Sequence, residues 1–279
     1  METRKKDTTQ APILVTGGTG TLGRQVVARL RASGQPVRIL GRHTTSVEPG
    51  AELVIADLAT GDGVEKALDG VEVVVHCAGS AKGDDVKART LVDAAKRAGV
   101  RHIVYISVVG ADTTPINGRI DRAMFGYFGA KHAAERLIAD SGIPWTTLRA
   151  TQFHDLTFKT LEQLSKLPVM PIFSGISFQP VDSGEVADRL VELALGEPVG
   201  LVPAIGGPRI YPMDELARSY LAATDRRRPI VGMPVFGAAA SAQKAGANLA
   251  PDRAVGRRTW EQFLADKVES GQAERAVAA

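Results

Sequence analysis

Tyr127 and Lys131 stand four residues apart in the run YFGAK. On an α-helix that spacing puts both side chains on one face, one turn apart. A lysine so placed can hold a ligand hydroxyl and, through its charge, lower the phenol from its usual pKa of about 10. Such a tyrosine gives a proton to a carbonyl oxygen while hydride arrives at the carbon. Ser107, at the end of the apolar run 103–107, is placed to hydrogen-bond the same oxygen. The alternative for Tyr127 is a packed aromatic with no chemistry.

A hydride donor needs a seat, and Thr16-Gly17-Gly18-Thr19-Gly20-Thr21-Leu22-Gly23 has the composition of one. Glycines 17, 20 and 23 permit a tight turn out of a strand, close approach of backbone to a pyrophosphate, and close packing of a helix on a sheet. The N-terminus of the following helix offers N–H groups and a positive dipole end to the anion. An acidic residue at the end of the second strand would bind the ribose 2′-hydroxyl of NAD, but that position holds Gly41, followed by Arg42. With Arg38 and Arg24 as possible helpers, Arg42 favours a 2′-phosphate, so NADPH is the expected cofactor.

The elements around these residues alternate. Apolar runs at 13–15, 37–40, 53–56, 71–76, 103–107 and 145–149 read as strands. Helical spacing covers 21–32, 64–68, 86–98 and 124–139. Near-continuous apolar strands are buried on both faces, which implies an α/β fold with a doubly wound parallel sheet. Ligands of such sheets lie beyond the carboxyl ends of the strands. Past residue 150 the pattern loosens: helices are expected at 153–167, 184–195, 213–222, 238–248 and 257–267, and a strand at 201–205. The stretch 168–178 reads as a loop over a pocket. Residues 11–155 are expected to form the dinucleotide-binding Rossmann domain, with 178–206 returning to it. Residues 156–177 and 207–279 would form a small substrate lobe.

The segments TGGTGTLGRQVVARL, VRILGR and VEVVVHCAGS resemble the atypical short-chain dehydrogenase/reductase superfamily, in its NmrA-like branch. VRHIVYISVVGADTTP and AAERLIADSGIPWTTLRATQFHD are similar to the NADPH-dependent quinone reductases of that branch. The resemblance is good over 11–155, loose over 156–210 and poor beyond. It implies that Gly17, Thr19, Gly20, Thr21, Leu22 and Gly23 line the pyrophosphate and that Arg42 sits by the adenosine phosphate. It puts Asp57 and Leu58 beside the adenine, and Ala78, Gly79 and Ser80 beside the ribose. Lys131 would contact the nicotinamide ribose, and Ala150, Thr151, Gln152 and Phe153 would form the turn beside the nicotinamide. Read without the resemblance, Asp57 is equally a helix N-cap.

Other residues attract less chemistry. His154-Asp155 are adjacent, do not share a helix face, and read as pocket wall rather than a relay. His76, Cys77 and His102 read as core, Arg226–Arg228 as a solvated turn, and Trp260 with Phe263 as anchors of the last helix. Phe173 and Phe178 are candidates for touching an apolar substrate. The 279 residues contain one cysteine, which excludes an internal disulfide and CxxC sites, and no metal site is expected. A net charge of +3, without a helix-turn-helix or zinc-finger pattern, argues against nucleic acid. No apolar run suits a membrane helix or secretory signal, so a cytoplasmic protein with loose ends is expected. The expected activity is hydride transfer from NADPH to a small apolar or aromatic ketone, enone or quinone, with a homodimer as the candidate assembly. The competing readings are an NADP(H)-sensing regulator without turnover and a nucleotide-sugar epimerase or dehydratase.

Overall fold

Short apolar runs that stop at glycine-rich or polar turns become the strands of a parallel sheet in the computed structural model, which describes residues 10–79 and 83–277. The expected ribose contact Ser80 and, of the ends expected to be loose (1–10 and 270–279), residues 1–9 and 278–279 lie outside the described residues. The first half alternates strand and helix: β1 (Ile13–Thr16), α1 (Thr21–Ala32), β2 (Val37–Gly41), β3 (Glu52–Ile55), α2 (Val64–Leu68), β4 (Val73–His76), α3 (Asp84–Ala98), β5 (His102–Val108), α4 (Arg119–Ala139) and β6 (Trp145–Ala150). There follow α5 (His154–Leu164), β7 (Met170–Phe173), β8 (Ser177–Phe178), α6 (Ser183–Leu195), β9 (Gly200–Leu201), β10 (Tyr211–Pro212), α7 (Met213–Ala223), β11 (Ile230–Met233), α8 (Ala238–Lys244) and α9 (Trp260–Val277). The main sheet has the order β3-β2-β1-β4-β5-β6-β9, with every pairing parallel. The order reverses between β1 and β4, the switch point at which a doubly wound sheet binds its ligand.

Both faces of the sheet are covered, which is why its strands carry few polar residues. On one face Val26, Val27 and Leu30 of α1 pack with Val186, Ala187 and Leu190 of α6 over Val15, Val75 and Val104. On the other, Leu91, Val92 and Ala95 of α3 meet Ala134 and Ile138 of α4 over Leu14, Val74 and Ile103. A fully buried Leu or Val side chain contributes about 1.5–3 kcal/mol, so these two layers fix the strand ends that carry the polar residues.

Several elements differ from the sequence expectation. Helix α4 begins at Arg119 rather than 124, because the Asp121 carboxylate accepts the Gly118 N–H at 3.2 Å and satisfies one of the first turn's free donors. The stretch 168–178 holds two short strands: β7 pairs with β11 in parallel and β8 with β10 antiparallel. Met170 and Ile172 alternate inward there, a signal only two residues long. Helix α8 stops at Lys244, and α9 runs through Val277 where a loose end was expected. The last sheet strand is only Gly200–Leu201, extended by a single bridge from Ile205 to Ala150.

Three buried histidines oppose folding in acid. Burial, reinforced by the charges of Lys131 and Lys87, pushes His76 down to about 3, and burial also lowers His102 and His154. His76 stays neutral in the fold while the unfolded chain takes up a proton below about pH 6.5, and His102 and His154 act in the same direction. Stability should therefore fall as pH drops from about 6.5 toward 3, by up to about 1.4 kcal/mol per pH unit from His76 alone. Urea unfolding between pH 7 and 4 measures this, and a His76→Asn variant should show a shallower slope.

Candidate functional site

The chain leaves β1 through Gly17, which has φ +68°, and a Cβ there would lie 2.8 Å from the backbone of Ala78. At Gly23 an added Cβ would lie 2.1 Å from the Gly17 carbonyl oxygen. The Gly20 N–H donates to that same oxygen at 2.9 Å, which closes the turn. Helix α1 then starts with no side-chain cap and no acidic residue in its first turn. A bare helix N-terminus behind a close-packed glycine turn suits a pyrophosphate. Thr19, Gly20, Thr21, Leu22 and Gly23 all belong to this turn. Arg24 braces it by donating Nε–H to the Thr19 carbonyl at 2.7 Å.

Two cavities open beside the C-terminal end of β2. One, of about 250 Å³, is lined by Arg42, His43, Ile55, Asp57, Asp62 and Gly63. The other, of about 330 Å³, runs from Gly18, Thr19 and Arg24 to residues 45–49. Arg42 is exposed at the first. The two carboxylates there are engaged by their own turn: Asp57 accepts the Ala59 N–H at 2.8 Å and Asp62 accepts the Thr60 hydroxyl at 2.8 Å. Asp57 thus caps a turn rather than a helix, while still lining the cavity. Leu58 is buried in the core among the residues of α2 and α3. Arg38 does not join Arg42. It starts lower on β2, donates to Glu52 at 2.7 Å, and reaches the carbonyls of Asp69 and Ala67 at 2.6 and 3.1 Å.

At the ends of β4 and β5 the sheet carries a polar seam. The Thr16 hydroxyl bonds His76 Nδ1 at 2.7 Å and accepts the Ala78 N–H at 3.2 Å. His76 stacks on Tyr105, with ring centres 5.3 Å apart. Lys131 enters from α4, 3% exposed. Its Nζ lies 3.1 Å from Asp84 Oδ2 of α3, donates to the Ile106 carbonyl at 3.2 Å, and sits 4.9 Å from the Tyr105 ring centre and 5.8 Å from that of Tyr127. A Cβ on Gly79 would lie 3.2 Å from that ammonium. Ser107, the residue after Ile106, is buried with its hydroxyl unpaired among the described residues. The structure thus gathers Lys131, Tyr127, Gly79 and Ala78 at this edge. It also corrects the electrostatic expectation for the phenol. Burial first, and the Asp84 carboxylate second, push Tyr127 well above its usual range.

The turn after β6 is mostly committed to the fold. Ala150 is buried. The Thr151 hydroxyl donates to the Gln179 carbonyl at 2.5 Å and accepts the Gly207 N–H at 3.3 Å. Phe153 packs on the sheet core. Gln152 is held through Asn248 and Gln179, and lines an apolar cavity of about 110 Å³ with Leu156, Thr157, Leu161, Phe178 and Met213. Phe173 and Phe178 both pack between two core clusters, and of the two only Phe178 borders this cavity. His154 is no pocket wall. It bonds the Arg258 carbonyl at 3.0 Å and stacks on Trp260 and Phe263, and so docks α9. Arg226 and Arg228 are not simply solvated, because they bond the Ser165 hydroxyl and carbonyl that end α5.

Sequence reasoning missed Asp84 and Tyr105. Asp84 stands in a first-turn pair of acidic residues that only suggests complement to a helix dipole. Its partner on α4 is distant in sequence. Among the described residues no helix is long and apolar enough to cross a membrane, and no metal-ligating cluster occurs.

Comparisons with known proteins agree with this geometry. A (4-alkanoyl-5-oxo-2,5-dihydrofuran-3-yl)methyl phosphate reductase of Streptomyces griseus is 30% identical over 202 residues, which is 70% of this chain and 68% of that enzyme. Quinone oxidoreductase 2 of Escherichia coli is 33% identical over 144 residues, covering 49% of this chain and 47% of its own length. The solved structure of the NADPH-dependent quinone oxidoreductase of Escherichia coli with NADPH matches with TM-score 0.71 at 20% identity, over 92% of this chain and 99% of that one. A UDP-glucose 4-epimerase of Thermotoga maritima matches with TM-score 0.70 at 19% identity, over 94% and 99%. These two structures share the Rossmann fold with this chain. A family model described as NAD(P)H-binding matches residues 17–175, from the glycine turn through β7. The glycine cradle, the bare N-terminus of α1 and this match over more than half of the sequence show that the chain belongs to the NAD(P)H-binding family.

Proposed function

We propose that the protein is an NADPH-dependent reductase that transfers hydride to a small ketone, enone or quinone. The observation that carries this reading is the seam at the ends of β4 and β5, where Lys131, Tyr127 and the Ser107 hydroxyl, unpaired among the described residues, stand beyond the dinucleotide cradle. The α1 N-terminus and glycine turn bind the pyrophosphate, Arg42 holds the 2′-phosphate, and Lys131 holds a ribose hydroxyl. A bound reduced nicotinamide supplies two electrons and a proton as hydride. Ser107 and Tyr127 orient the acceptor oxygen. Tyr127, held neutral, donates its phenol hydrogen to that oxygen as the charge develops there. The cavity beside Gln152 and Phe178 takes the apolar part of the acceptor. We assign 11–155 with 178–206 to the cofactor domain, and 156–177 with 207–279 to the substrate lobe.

The test is oxidation of NADPH in the presence of a panel of quinones, enones and aromatic ketones. Tyr127→Phe should cut ketone turnover by about 10²-fold or more while NADPH affinity is retained. The loss should be smaller for quinones, whose reduced monoanion is stabilised by its aromatic ring. Tight NADPH binding with no turnover across the panel would replace this reading with a cofactor-sensing regulator. Arg42→Ala probes cofactor choice. Loss of a charged phosphate contact should weaken NADPH by about 10- to 100-fold and leave NADH affinity unchanged, as read by fluorescence titration.

A further inference from the structure

We propose that Asp84 is a positioning residue that fixes Lys131 at the ends of β4 and β5 and secures its proton, so that the lysine meets the cofactor as an ammonium. This rests on the reading above that Lys131 serves the cofactor.

Both side chains are almost fully enclosed, at 1% and 4% exposure, and their polar ends are 3.1 Å apart. An enclosed amine without a counter-charge sheds its proton readily, because burial penalises the charged form. For Lys131 burial is the main influence and lowers its pKa, while the charge and hydrogen bond of Asp84 raise it. Among the described residues, the surrounding titratable groups come from several packed elements. Lys87 of α3 opposes the ammonium, and Cys77 after β4 favours it. His76 of β4 is held neutral, Tyr105 of β5 and Tyr127 of α4 are held as phenols, and Glu135 of α4 acts on Tyr105. Asp84 is the carboxylate in contact with the amine. The ammonium also donates to the Ile106 carbonyl, and Gly79 leaves room for it, so carboxylate, carbonyl and glycine together define one position for Nζ.

The experiment compares the wild type with Asp84→Asn and Asp84→Glu over pH 6–9, by NADPH calorimetry and by thermal unfolding of the cofactor-free protein. In Asp84→Asn, Lys131 should lose its proton at lower pH than in the wild type. NADPH affinity should then fall by at least about tenfold from pH 6 to 9, the response of one titrating group, relative to the wild type. Without cofactor the sign reverses. The unfolded lysine keeps its proton where the folded one does not, so the Tm deficit of Asp84→Asn should shrink as pH rises. Asp84→Glu should restore the wild-type profile. A Tm deficit equal at every pH, with an affinity profile parallel to wild type, would overturn the proposal. Absence of NADPH heat from the wild type would overturn the cofactor reading alone, because the unfolding series still reports the proton on Lys131. If Asp84→Asn does not fold, the double variant Asp84→Asn/Lys131→Met decides. Folding of the double variant supports the charge coupling, and its equal failure contradicts it.

Discussion

A Gly23→Ala variant should lose NADPH binding by at least about 10²-fold, the loss of two charge-assisted hydrogen bonds at roughly 1.5 kcal/mol each. The added methyl would fall 2.1 Å from the Gly17 oxygen, 2.7 Å from the Gly17 carbonyl carbon and 2.8 Å from the Gly18 Cα. All three are backbone atoms, so no side chain can swing aside, and the turn must move away from the N-terminus of α1. Gly20→Ala is the internal control. Its methyl would meet only the Gly17 oxygen, at 3.3 Å, so its affinity should drop far less. Calorimetry of both variants, with circular dichroism to confirm the fold, reads the difference. Equal affinities for the two would show that the crossing at Gly23 does not shape the cradle.

Lys131→Met should be the most costly substitution of a polar residue in the site. It removes the ammonium 3.1 Å from Asp84, whose carboxylate is 1% exposed. Breaking one side of a buried ion pair costs about 3–5 kcal/mol, because the remaining charge stays in a poor solvent. Lys87, 3.6 Å from the other Asp84 oxygen, offsets part of this, so the lower end, about 3 kcal/mol, is expected in denaturant unfolding. NADPH affinity should fall in parallel. Unchanged stability would mean that the pair is solvated in solution.

The sheet and the glycine turn were legible because their signals are local. Near-continuous apolar runs mark β1, β2, β4, β5 and β6, and one octapeptide holds the whole turn. Tyr127 and Lys131 were legible as a helical pair for the same reason. The state of that pair was not, because burial first, and Asp84 reaching it from another helix second, push the phenol up where a fall was expected. Arg38 and Arg42 look alike in the sequence. Only the register of β2 against β3, with Arg38 opposite Glu52, shows that Arg38 is spent on an ion pair away from the cavity. His154 gave no sign of its stacking on Trp260 and Phe263, a contact made only when α9 folds back. The short strands β7, β8, β10 and β11 were hidden because two to four residues cannot establish a period.

The central claim is that the glycine turn and the N-terminus of α1 seat a dinucleotide whose 2′-phosphate meets Arg42. Calorimetric titration of the purified chain with NADPH and with NADH tests it directly. One-site binding is expected, at least about tenfold tighter for NADPH, equivalent to 1.4 kcal/mol. No heat from either dinucleotide at millimolar concentration would contradict the account, and tighter binding of NADH would contradict the role given to Arg42.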